Sequence, residues 1–134
     1  MLKIKRLSPV IGAEVSGANL ISPNDDEFKE LEQALSEYSV LFFRDQPRLS
    51  PKQQVAFATQ FGPLHSHPAA PVLEDDEAIF VIKTDANSKV ANGNGWHTDV
   101  SCDNEPPLVT MLQLHQLPET GGDTLFSSMY AAYE

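Results

Sequence analysis

The sequence predicts a mixed α/β domain, mainly β, in which two early helices flank a strand-rich remainder. Two segments in the first half carry helix start signals followed by apolar residues at helical spacing. Short apolar runs of strand length recur along the chain and dominate its second half. Gly, Pro and Asn clusters punctuate those runs as turns. Helices gathered early and strands late describe a strand-rich domain decorated by helices.

Leu2 and Ile4 alternate with basic residues, and Ile11, Ala13 and Val15 alternate after them, so each set predicts a short strand, with bends at Gly12 and Gly17. Ser22-Pro23-Asn24 opens a helix through about Tyr38, and Phe28, Leu31, Leu35 and Tyr38 fall on one face of it. Val40 to Phe43 is a compact apolar strand that ends at the turn Arg44-Asp45-Gln46-Pro47. A second helix starts at Ser50, with Pro51 in the first helical position and Gln53 completing a capping box. Val55, Ala58 and Phe61 are its expected buried stripe, and Gly62-Pro63 stops it. A proline-containing, acidic loop then runs from about His65 to Asp76. Strands are expected at Ala78–Lys83, His97–Ser101, Leu108–His115 and Thr124–Ser127, with a polar Gly/Asn-rich loop from Lys83 to Gly95 and a turn at Gly121-Gly122-Asp123. Ser128 to Glu134 reads as the start of a helix.

The 134 residues suit one domain, 1–134, and 41% hydrophobic content suffices for a core. Nine basic against nineteen acidic residues, a net charge of −10, argue against nucleic acid, whose phosphates need clustered Lys and Arg. A locally basic site for a small anion remains compatible with that balance. No apolar run reaches the length of a membrane span, and the alternating start Met1 to Leu7 lacks the continuous apolar stretch of a signal peptide. A cytoplasmic protein is expected. The single cysteine, Cys102, leaves no internal disulfide and no multi-cysteine zinc site.

The residues that carry chemistry are in Trp96-His97-Thr98-Asp99-Val100. On a strand, residues two apart share a face, so His97 and Asp99 would point together. An imidazole and a carboxylate are two of the three ligands of the facial triad that holds non-haem iron(II) with positions left open. The pair alone also fits a surface histidine beside an acid, and a second histidine would have to come from elsewhere.

Three blocks in order widen the signal: Ile11-Gly-Ala-Glu-Val-Ser-Gly-Ala-Asn-Leu20; Val40-Leu-Phe-Phe-Arg-Asp-Gln46 with Phe61-Gly-Pro-Leu-His65; and Trp96-His-Thr-Asp-Val-Ser101 through Pro106-Pro107 to Pro118-Glu-Thr-Gly-Gly-Asp-Thr-Leu125 and Tyr130-Ala-Ala-Tyr-Glu134. Together they cover essentially the whole chain and resemble the taurine dioxygenase and 2,4-dichlorophenoxyacetate dioxygenase family. The resemblance implies an Fe(II)- and 2-oxoglutarate-dependent dioxygenase with a double-stranded β-helix, or jelly roll, inside flanking helices. It implies that His97 and Asp99 are iron ligands and that Thr124 helps hold the 2-oxoglutarate carboxylate. It also implies that His67 and Asn94, with Asn92 as the alternative, contact substrate. With dioxygen, 2-oxoglutarate goes to succinate and carbon dioxide while a small anionic substrate is hydroxylated. A sulfonate such as taurine then yields sulfite and an aldehyde; an aryloxyalkanoate, a sulfate ester or another carboxylate is the alternative.

The chain departs from the family in two places. The distal histidine ligand and the arginine that pairs with 2-oxoglutarate lie beyond Glu134 in the family pattern, so the chain is expected to be its N-terminal portion, an incomplete jelly roll, inactive and aggregation-prone by itself. An inactive fragment or pseudo-enzyme remnant is the reading of another class. In addition, Ala70 stands near where taurine-specific members carry a tyrosine, which removes a hydroxyl donor and weakens the case for taurine. Family members are often dimers or tetramers, so a homo-oligomer is possible for the longer form. Of the remaining residues, His65 reads as a surface or core histidine, His115 as structural, Arg44 and Asp45 as a local ion pair, Asp123 as a turn former beside Thr124, and Trp96 as packing beside the metal. The acidic run Glu74 to Glu77 reads as a solvated loop rather than a calcium site.

Overall fold

The structure is a computed structural model, and it describes residues 1–66, 79–85, 87–89, 93 and 95–134. The expected strand start at Ala78 and the acidic run 74–77 lie outside the described residues. Two compact units are described in turn: Met1–Arg48 with Leu114–Glu134, and Leu49–Gln113.

The first unit is a three-stranded sheet under one long helix. Strand β1 (Lys3–Arg6) pairs antiparallel with β2 (Ala13–Ser16), and β2 pairs parallel with β3 (Leu41–Phe42). Parallel neighbours need a crossover, and helix α1 (Asp25–Tyr38) makes it. Asn24 caps α1: its side chain accepts from the backbone N–H groups of Asp26 and Glu27, while the Glu27 carboxylate accepts from the Asn24 N–H. This reciprocal cap satisfies helix-end donors that would otherwise be orphaned. The helix ends at Ser39, whose φ of 63° turns the chain into β3.

Alternation in β2 puts Ala13 and Val15 on one face, both buried, and Leu31 and Ala34 of α1, Leu2 and Leu20 are buried too. Each fully buried Leu or Val side chain contributes roughly 1.5–3 kcal/mol by leaving water. The expected helical stripe is right at Leu31, but Phe28, Leu35 and Tyr38 are half-buried and Ala34 is the second buried position. Around β1 the expected alternation holds at Leu2, just before the strand, and fails at Ile4 within it, which is exposed. Gly12 precedes β2 at φ 92°, where a Cβ would meet the Phe42 ring at 3.4 Å, and Gly17 follows it at φ 86°. These are the predicted bends, and glycine adopts that backbone without steric penalty.

Across β2 and β3, the Arg44 guanidinium donates to the Glu14 carboxylate at 3.0 Å. The local pair expected between Arg44 and Asp45 is therefore corrected: β3 lies beside β2, and that register gives Arg44 a partner thirty residues away. The segment 124–127 has strand composition but no ladder, and it is held by Phe126, whose ring meets Phe42 edge to face with centroids 5.7 Å apart. Helix α3 (Met129–Tyr133) begins where a helix was expected, capped by Ser128.

In the second unit, helix α2 (Pro51–Ala58) carries the predicted capping box at Ser50 and Gln53 and runs into a 3-10 turn at Thr59–Phe61. Its buried residue is Phe57, which packs edge to face on Phe61; the expected Val55, Ala58 and Phe61 are half-buried. The mainly-β expectation is not met among the described residues, whose strands are the three of one small open sheet. Residues 79–83, 97–101 and 108–115 form no strand. A strand is defined by a partner, and these extended or turning segments have no ladder partner among the described residues. No helix there is long and apolar enough to cross a membrane.

Candidate metal centre

Residues 96–103 form a turn rather than a strand. Val100 has φ 51°, Asp103 N–H donates to the Val100 carbonyl at 3.1 Å, and the Thr98 and Ser101 hydroxyls hydrogen-bond across the turn. A β-branched residue in the left-handed region is strained, at a cost on the order of 1–3 kcal/mol. The turn nevertheless does what the strand was expected to do: His97 Nε2 and Asp99 Oδ1 face each other at 3.4 Å.

Each of the two side chains is held from behind. His97 Nδ1 lies 2.8 Å from the Gly95 carbonyl, which can only accept, so Nδ1 carries a proton and, in the neutral ring, Nε2 is the atom with the lone pair on the Asp99 side. Gly95 adopts φ 148°, which suits glycine, and aims its carbonyl at the ring. Asp99 Oδ2 accepts from the Thr110 hydroxyl at 2.8 Å, so Oδ1 is the free oxygen. With the ring neutral, the Nε2 lone pair and the carboxylate oxygen 3.4 Å apart repel unless a proton or a metal cation lies between them, and both side chains are half-exposed. The donor set, one nitrogen and one oxygen with the histidine's second nitrogen on a backbone carbonyl, fits a first-row divalent metal. Among the described residues no third His, Cys, Asp or Glu joins them.

The other expected site residues fall differently. Thr124 belongs to the first unit and is exposed. His67, Asn92, Asn94 and Ala70 lie outside the described residues. His65, expected to stand as a plain surface or core histidine, has Nε2 2.9 Å from the Asp103 carboxylate. His115 receives the Arg48 guanidinium at Nδ1 at 2.8 Å, in keeping with a structural role. Trp96 is corrected: it is 72% exposed rather than packed, because no described element covers it. Sequence reasoning missed Thr110 and the Gly95 carbonyl. The Asn-Gly-Asn-Gly stretch before Trp96 signals the special backbone at Gly95, but nothing in the spacing points to Thr110.

The chain is 38% identical to an alkylsulfatase of Acinetobacter baylyi, over 99% of this chain and 41% of that protein. It is 34% identical to an alpha-ketoglutarate-dependent sulfate ester dioxygenase of Pseudomonas putida, over 92% of this chain and 40% of that protein. The chain thus spans about two fifths of the length of these relatives. Among solved structures, a taurine dioxygenase from Burkholderia xenovorans superposes with a TM-score of 0.64 at 34% identity, covering 78% of this chain and 37% of that one. The family model of the taurine catabolism dioxygenases, TauD and TfdA, matches residues 3–134, nearly end to end, and the chain belongs to that family.

Proposed function

We propose that this chain forms the iron-holding part of an Fe(II)- and 2-oxoglutarate-dependent dioxygenase that hydroxylates a small anion bearing a sulfur oxyanion, a sulfate ester or a sulfonate. The observation that carries the reading is the facing pair His97 Nε2 and Asp99 Oδ1, each fixed by a hydrogen bond to its remote atom. In this reading His97 and Asp99 hold the metal and a further ligand comes from outside the described residues. Thr124 holds a carboxylate of 2-oxoglutarate through its hydroxyl, and His67 with Asn94 or Asn92 meets the substrate. The fold of the complete enzyme is the jelly roll of the family.

Iron(II), when bound, supplies the coupling of dioxygen activation to decarboxylation of 2-oxoglutarate. The protein's part is to hold two ligands on one side and leave the remaining positions open. The Gly95 carbonyl favours the tautomer that ligates through Nε2 and orients the ring. Hydroxylation at the carbon bearing the sulfur group makes an adduct that collapses to an aldehyde. The leaving group is sulfate from a sulfate ester and sulfite from a sulfonate.

The relatives favour sulfate esters beside sulfonates: one is named an alkylsulfatase and another a sulfate ester dioxygenase. A third relative, from Sphingobium herbicidovorans, is named for (S)-phenoxypropionate, which keeps aryloxyalkanoates as the second reading. The protein as its gene expresses it should form succinate from 2-oxoglutarate when given Fe(II), dioxygen and an alkyl sulfate, with sulfate released in step. Sulfite release from taurine or another sulfonate would move the assignment within the sulfur class. A phenol released from an aryloxyalkanoate, with neither sulfur product formed, would overturn it.

A further inference from the structure

We infer that Thr110 is a positioning residue of the metal centre: its hydroxyl ties up Asp99 Oδ2 and commits the carboxylate to bind metal through Oδ1 alone. The inference rests on the reading of His97 and Asp99 as metal ligands and adds to it a residue that does not itself touch the metal.

The geometry is asymmetric in the way this role requires. Asp99 Oδ1 faces His97 Nε2 at 3.4 Å, while Oδ2 accepts the Thr110 Oγ1 hydrogen at 2.8 Å. A carboxylate whose two oxygens are both free can chelate a cation with both, which fills one more position of the coordination sphere. A hydrogen bond on one oxygen opposes that and fixes the plane of the other. Bonds to an ionised acceptor are shorter and stronger than neutral ones. The centre therefore has matched supports: a backbone carbonyl behind the imidazole and a side-chain hydroxyl behind the carboxylate.

Thr110 has the surroundings to act as a fixed post. The peptide of Leu49, just ahead of α2, is bonded on both sides by the amide of Gln113, three residues past Thr110. The Gln113 Nε2 also donates to Gln54 Oε1 inside the helix at 3.3 Å. The Thr110 segment is thus anchored to α2 while its hydroxyl reaches back eleven residues to Asp99. Thr110 is exposed, so removing the hydroxyl leaves neither a cavity nor a buried orphan.

The test is a titration of the chain with Mn(II), to millimolar metal, followed by paramagnetic broadening of assigned His97 and Asp99 resonances. Thr110→Val should weaken the site about 10- to 100-fold, the range seen when an outer partner of a metal ligand is removed. Thr110→Ser, which keeps the hydroxyl, should restore it, and circular dichroism of both variants should match the parent. Unchanged affinity in Thr110→Val, with His97→Ala still abolishing broadening, overturns the inference and leaves the metal centre standing. A parent chain whose His97 and Asp99 resonances ignore Mn(II) overturns the metal-centre reading, and this inference with it.

Discussion

His97 Nε2 and Asp99 Oδ1 confront each other at 3.4 Å while the remote atom of each side chain is already hydrogen-bonded. Neither facing atom has another partner among the described residues, and under the proposed function the two are metal ligands. His97→Ala and Asp99→Asn should each abolish site-specific Mn(II) or Fe(II) binding and leave the fold intact, since both side chains are half-exposed. Isothermal titration and circular dichroism check the two halves of that statement. Retained stoichiometric binding in both variants would place the metal elsewhere.

Gln113 should matter to stability more than a half-buried polar residue usually does. Its amide accepts from the Leu49 N–H at 2.7 Å and donates to the Leu49 carbonyl at 3.1 Å. Gln113→Leu strands both groups in a part-buried place, and each unsatisfied group costs about 1–3 kcal/mol. Urea unfolding monitored through the second unit should show a loss within or above that range, against less than about 1 kcal/mol if water replaces the amide.

The reciprocal cap of α1 should be measurable as a coupling. Asn24→Ala should cost about 1 kcal/mol. Glu27→Ala should cost less, and the double variant should cost less than their sum, because each side chain serves the other's backbone. Strict additivity in a thermal or urea double-mutant cycle would show that the two bonds of the cap act independently.

The Arg44–Glu14 pair should contribute little. Both ends reach solvent, at 66% and 34% exposure, and such pairs are worth about 0.2–1 kcal/mol. Arg44→Ala should fall in that range at low salt and approach zero in molar salt, as followed by urea midpoints.

The first unit exposes Leu117, Leu125, Met129, Tyr130 and Tyr133 within a short stretch, each by two thirds or more. Exposed apolar surface of that kind drives association. The isolated 134-residue chain should self-associate with rising concentration in sedimentation velocity, and it should give no steady 2-oxoglutarate turnover. A monodisperse monomer at high concentration, or steady succinate formation, would contradict this.

Both helices were legible because their signals are local: Asn24 and Ser50 cap them, Pro51 starts one, and Leu31 marks a buried face. Ala13 and Val15 were legible by alternation. The strands expected at 97–101, 108–115 and 124–127 were not, because composition describes one strand and a sheet needs two. The closeness of His97 and Asp99 was foreseen for a reason that does not hold, since a turn through Val100 rather than a pleat brings them together. Partners such as Thr110 for Asp99, Asp103 for His65 and Glu14 for Arg44 lie eleven to thirty-eight residues apart, and no spacing rule reaches that far.

Where a ladder would ordinarily join two stretches of backbone, Gln113 makes the junction with a side chain. The two ends of that junction then carry unequal evolutionary burdens. Position 49 contributes only its peptide group, so any residue that fills the same buried space can stand there. Position 113 must supply a carbonyl and an amide N–H at one reach from the backbone, and glutamine alone does both at that length. Position 49 should therefore accept other apolar residues of similar volume while position 113 is nearly frozen, and a survey of functional variants from a randomised library would read that asymmetry directly.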